Sequence, residues 1–235
     1  MIDGVSVKPL GIPGKNDWNV VHNLAPWIWS AGGEFLTADR KQSALNSDEA
    51  VTGLDFYVGL VRQGFVPTDC LEQNSAQIST GFDNGHYAVV FDGPYKLRSL
   101  TTPAQKGGAL ETIAAKKFGI LPYPKGPRGR YTFIGGSNLA VFSASKKKEA
   151  AWQVIKYLIS VEAQIEYSKL SGFLPANKEA FSDPYFTKDI NRKVYVEAVQ
   201  YGRAYPAIPV WGLLEPAMMK RFGIMWDHLL ETMKK

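Results

Sequence analysis

Residues Tyr87–Phe91 form an unbroken apolar run, β-branched and aromatic around Ala88, with polar punctuation on either side. Such a run predicts a short strand buried on both faces. Before it, Phe82-Asp-Asn-Gly-His86 reads as the end of a helix, with Gly85 able to take the left-handed conformation there. After it, Asp92-Gly-Pro-Tyr95 stops the strand and places Tyr95 at its carboxyl end. In open α/β sheets, ligands collect beyond the carboxyl ends of strands, so Tyr95 marks a candidate binding edge.

The rest of the chain alternates between the two periodicities. A strand is expected around Val5–Leu10. Apolar residues at helical spacing, Trp18, Val20, Val21, Leu24, Trp27 and Ile28, predict a helix over 16–31, bent at Pro26 and ended by Gly32-Gly33. Asn46-Ser-Asp-Glu49 reads as a helix start with a capping box, and Ala50, Leu54, Tyr57, Val58 and Val61 then share one face up to Gly64. Pro67–Asn74 is expected to be loop, Ser75–Phe82 a short helix, and Tyr95–Leu100 another. Short strands are expected at Phe118–Pro122 and in the apolar run ending at Phe142, just after Gly135-Gly136-Ser137-Asn138. Ser145 is expected to cap a helix whose face is Ala151, Val154, Ile155 and Leu158; a second follows from Val161 to Leu170. Helical spacing returns from Asp183 to Ala198, Tyr205–Pro209 is held extended by its prolines, and a last helix is predicted over Pro216–Thr232. Strands alternating with helices define an α/β chain.

Composition is ordinary for a globular chain, 45% hydrophobic and 21% charged over 235 residues. Six Trp and eleven Tyr are more than a core alone usually needs, and flat aromatic faces with polar handles suit a stacking site. The net charge of +5 comes largely from short clusters such as Lys125–Arg130 and Lys146–Lys148, with no aromatic interleaving of the kind nucleic acid requires. No run approaches a membrane span. The amino terminus has neither the charged lead nor the apolar core of a signal peptide, although a secreted protein without its leader reads the same way.

The three histidines, His22, His86 and His228, have no His or Cys at metal spacing, and Cys70 stands alone in a predicted loop. Gly135-Gly136-Ser137 lacks the Lys of a phosphate loop. Catalysis, a metal and a cofactor therefore have no positive support. A sugar, by contrast, asks for aromatic platforms beside bidentate polar groups. Four stretches offer both at element ends: Asp17 with Trp18, Tyr95, the donors of Gly135, Gly136 and Ser137, and Trp211. Trp18 and Trp211 equally suit a buried core, and the double glycine a tight turn.

The order of these motifs resembles the extracellular solute-binding proteins of ABC sugar importers, the group that includes maltose-binding protein. The resemblance rests on Trp29-Ser-Ala-Gly-Gly-Glu-Phe35, Phe82–Tyr95, Phe118–Pro122, Ile134-Gly-Gly-Ser-Asn138, Gly172-Phe-Leu-Pro175 and Pro206-Ala-Ile-Pro209. It implies a periplasmic-binding-protein-like (type II) lobe, with a mixed sheet flanked by helices and hinge closure on a ligand. It further implies an extracytoplasmic place, a membrane permease as partner and no enzymatic activity. It also implies that the family's N-terminal lobe is mostly missing. Residues 1–130 and 171–235 then read as C-terminal lobe and hinge return, and 131–170 as a segment returning to the other lobe. Weak or unmeasurable sugar binding by this chain alone is expected, with the missing lobe or a second copy as a further partner. The competing expectations are an interaction module without a ligand and a binder of a non-sugar solute.

Overall fold

The computed structural model describes residues 4–14, 17 and 19–233. Strand β1, Lys8–Gly11, leads into helix α1, Val20–Ala31, which runs through Pro26 and ends where Gly32 takes a left-handed φ of 98°. Helix α2, Asp48–Arg62, begins at Ser47, whose hydroxyl accepts from the Ala50 amide. The predicted start was thus one residue early, and the reciprocal box forms elsewhere. It sits at α3, Ser75–Asp83, where Asn74 and Gln77 cap each other's backbone amides. Between them Thr68–Glu72, expected to be loop, closes a 3-10 turn that buries Cys70 and Leu71.

Strand β2, Tyr87–Val90, lies parallel to β1 in the register Lys8↔Tyr87. The expectation that it is buried on both faces fails. Val89 is 50% exposed and Ala88, on the opposite face, is exposed too, and β2 has one strand neighbour among the described residues. Helix α4, Tyr95–Leu100, follows as predicted, and α5, Ile113–Lys116, is a single turn.

Strand β3, Thr132–Phe133, pairs in parallel with β4, Gly202–Arg203, and the Ile134 amide extends the pairing to the Arg203 carbonyl at 2.9 Å. The two other expected strands do not form: Phe118–Pro122 and Leu139–Phe142 have no ladder partner, and Leu121 and Phe142 are largely exposed. Apolar sequence alone cannot hold a strand without a neighbour to bond.

Helices α6, Lys148–Leu158, and α7, Val161–Ser171, come next. Ser160 caps α7, while Ser145 accepts only the Lys147 amide and lies outside α6. Short helix α8, Pro184–Thr187, and α9, Ile190–Ala198, are capped by Asp183 and Asp189. Helix α10, Trp211–Met233, starts five residues before the predicted point.

The core gathers α1, α2 and α10 around Val21, Leu24, Ile28, Tyr57, Val61 and Trp226. Close approach of α1 and α2 depends on small residues: a Cβ on Gly53 would meet the Trp27 carbonyl oxygen at 2.5 Å. Cys70, expected in a loop, is in this core, and burial pushes its thiol pKa up. Among the described residues no helix is long and apolar enough to cross a membrane.

Candidate functional site

Parallel pairing places the carboxyl ends of β1 and β2 on one edge and those of β3 and β4 on another. The described candidate residues all follow these ends: Asp17 after β1, Tyr95 after β2, Gly135, Gly136 and Ser137 after β3, and Trp211 after β4. Trp18 lies outside the described residues.

An aromatic stack joins the two edges. His22, in the first turn of α1, lies face to face with Phe133 of β3, ring centroids 4.0 Å apart. Tyr205 packs on Phe133 at 4.9 Å and on Trp211 at 4.5 Å, the latter pair stacked within 25°. The prolines flanking this segment fix the turn, and the Trp211 amide donates to the Ile208 carbonyl at its end. Trp211 is half-buried and also meets Phe35 edge-on. Gly135 belongs to the same neighbourhood, since a Cβ there would touch the Phe133 ring at 3.0 Å; Gly136 and Ser137 are exposed beyond it.

His22 Nδ1 and the Tyr205 hydroxyl share a hydrogen bond of 2.7 Å, and Glu215 Oε1 stands 3.9 Å from the same nitrogen. Burial lowers the His22 pKa, with Asp17 pulling it the other way. Burial likewise raises the Tyr205 phenol pKa, reinforced by Glu215. A neutral ring and an intact phenol are the species that share this bond.

Asp17 is buried and heavily bonded. Its Oδ2 accepts from the Ser75 amide at 2.6 Å and from the Ser75 hydroxyl, and its Oδ1 accepts from the Asn19 amide at 2.9 Å. The carboxylate therefore ties the start of α1 to the positive end of α3.

Tyr95 forms a separate group. Its ring, 43% exposed, packs on Phe173 at 5.3 Å, and Gly172 approaches so closely that a Cβ would meet the Tyr95 Cα at 2.8 Å. Asp92 faces its phenol, and burial followed by that charge raises the Tyr95 pKa. Asp92 is itself held by the Ser79 hydroxyl at 2.7 Å and the Gly93 amide at 2.8 Å. The structure thus brings Gly135 and Trp211 together through Phe133 and Tyr205, sets Asp17 beside His22, and leaves Tyr95 against Phe173.

His22, Phe133, Tyr205, Asp92 and Phe173 were not singled out from sequence. Asp92 carried a usable signal, standing three residues before the Tyr95 platform in the same Gly-Pro turn. His22 carried none, because its partner Tyr205 is 183 residues away.

Residues 11–194 match the family described as bacterial extracellular solute-binding protein, and the chain belongs to that family. The diacetylchitobiose binding protein DasA of Streptomyces coelicolor is 32% identical over 214 residues, covering 88% of this chain and 47% of that protein. Maltose-bound MalE3 of T. maritima has a TM-score of 0.78 at 22% identity, over 95% of this chain and 56% of that one. The GacH receptor of Streptomyces glaucescens, solved with and without acarbose, has a TM-score of 0.78 at 20% identity, over 95% and 55%. These structural likenesses establish the α/β, periplasmic-binding-protein-like fold. The chain spans about half the length of the curated relatives it matches.

Proposed function

We propose that this chain supplies the carbohydrate-binding face of the solute-binding component of an ABC importer, a non-enzymatic role served with a membrane permease. The observation that carries the reading is the placement of Tyr95, Gly135–Ser137 and Trp211 beyond the carboxyl ends of two parallel strand pairs, with Trp211 presented by the stack on Tyr205 and Phe133. The diacetylchitobiose, maltose and acarbose bound by its relatives and structural neighbours support a sugar as the solute.

In this reading Tyr95 and Trp211 are platforms for the C–H faces of sugar rings, and the exposed backbone and hydroxyl of Gly135, Gly136 and Ser137 donate to sugar hydroxyls. Trp18 is a third platform. Asp17 acts mainly through the backbone it holds, three of its roughly four lone-pair directions being filled. A site with one wall retains stacking and loses water exclusion, so binding by this chain is weak and saturable. Tryptophan fluorescence titrated with oligosaccharides tests it: a saturating change that Trp211→Ala abolishes is expected, and no change with any sugar refutes it.

The second reading concerns residues 131–170, taken as a segment built to pack on another lobe. It is favoured by α6, which buries none of its residues and exposes Trp152, Val154 and Leu158. Size-exclusion chromatography with light scattering tests the version in which this segment pairs with a second copy, a strict monomer over a wide concentration range counting against it.

A further inference from the structure

A concavity of about 480 Å³ lies along β3 and β4, lined by the residues that precede the two strands and by β4 itself. Its lining includes three cations, Lys125, Arg130 and Arg203, and no carboxylate. The Lys125–Arg130 cluster, noted in the sequence for its charge, thus contributes Lys125, Gly129 and Arg130 to the lining. The turn is closed by the Gly126 amide donating to the Gly129 carbonyl at 2.8 Å, and it is pinned to α1 by the Arg128 amide donating to the Ser30 carbonyl at 2.9 Å.

The two guanidinium groups are also held in place. Arg130 lies over the Tyr201 ring, 5.5 Å from its centroid. Arg203 lies over both Trp29 and Tyr131, at 5.0 and 5.3 Å. Stacking on a ring fixes the plane of the fork and leaves its N–H edge for a ligand. Glu34 takes one nitrogen of Arg203, whose Nη2 reaches both carboxylate oxygens at 3.0 Å, and this leaves the Nε and Nη1 hydrogens. Two guanidinium groups and a lysine set against the single carboxylate of Glu34 leave a net positive charge that suits an oxyanion.

We propose that this concavity binds a small free oxyanion, a phosphate or carboxylate group of a soluble molecule, held between Arg130 and Arg203 with Lys125 above. The site is also joined to the aromatic stack. Tyr131 and Arg203 each stand two residues before a ring of that stack, Phe133 and Tyr205. An anion bridging Arg130 and Arg203 therefore clamps the strand pair that presents Trp211.

The test is calorimetric titration with inorganic phosphate at constant ionic strength, using the wild-type chain, the double variant Lys125→Gln/Arg130→Gln, Arg130→Lys and Lys188→Gln. Saturable phosphate binding is expected, weakened about tenfold or more in the double variant and less in Arg130→Lys, which keeps charge but loses the fork. Lys188→Gln, which removes a positive charge from an exposed position outside the lining, binds phosphate as the wild type does. A parallel sedimentation with anionic phospholipid vesicles separates a free anion from a lipid headgroup, and no co-sedimentation is expected. The proposal is overturned by titrations that do not saturate, by equal binding in the double variant (an adventitious ion only), or by vesicle binding without binding of free phosphate.

Discussion

His22 links the two strand edges through its stack on Phe133 and its hydrogen bond to Tyr205. Burial lowers its folded pKa beneath the ordinary 6.5. As pH falls through 6.5 the unfolded chain takes up a proton before the folded chain does, so stability declines with falling pH until the folded pKa is reached. Urea unfolding of wild type and His22→Gln at about pH 7.5 and 5.5 reads this directly. The wild type is expected to lose more stability between the two, and parallel losses would contradict the assignment. The same residue shows what sequence could reveal. Tyr95 and Trp211 were legible because aromatic residues beside Gly and Pro at element ends carry a local signature. The grip of Asp17 on Ser75, 58 residues away, and of His22 on Tyr205 carried none, because a hydrogen bond across the fold leaves no periodicity.

Among the elements, α1 and α2 make the most intimate contact, and it turns on Gly53. Alanine there is the better helix former by ~1 kcal/mol, yet its Cβ would stand 2.5 Å from the Trp27 carbonyl oxygen and 2.8 Å from the Ile28 Cα. Overpacking wins, since backbone cannot swing aside as a side chain can. Gly53→Ala is expected to destabilise by ~1–3 kcal/mol in chemical denaturation, and a stabilised variant would show that the helices slide apart freely. Helix α6 is the opposite case. Its apolar face was legible from the spacing of Ala151, Val154, Ile155 and Leu158, but periodicity says which face seeks cover and not what covers it. Since Val154 is 57% and Leu158 41% exposed, Val154→Glu/Leu158→Glu should change folding stability by no more than about 0.5 kcal/mol while suppressing self-association. A large loss of stability would mean that the face packs within the chain. The strands were the least legible elements. Phe118–Pro122 and Leu139–Phe142 have strand-like composition, but a strand exists only where a neighbour offers a ladder.

For the whole molecule, family membership and fold are secure, and the chain covers about half the length of its curated relatives. The predicted α/β alternation and the order of motifs carried both, because they depend on short local runs. The central claim is that carbohydrate is recognised at the carboxyl edges of the two strand pairs, through Tyr95 on one and Trp211 on the other. The measurement that tests it most directly is a fluorescence titration of the chain with a panel of mono- and oligosaccharides, repeated on Tyr95→Ala and Trp211→Ala. The account predicts saturable binding of one sugar class with a dissociation constant weaker than about 1 µM, reduced about tenfold or more in each variant. A cooperatively folded chain that responds to no sugar, or whose response is untouched by both substitutions, would contradict it.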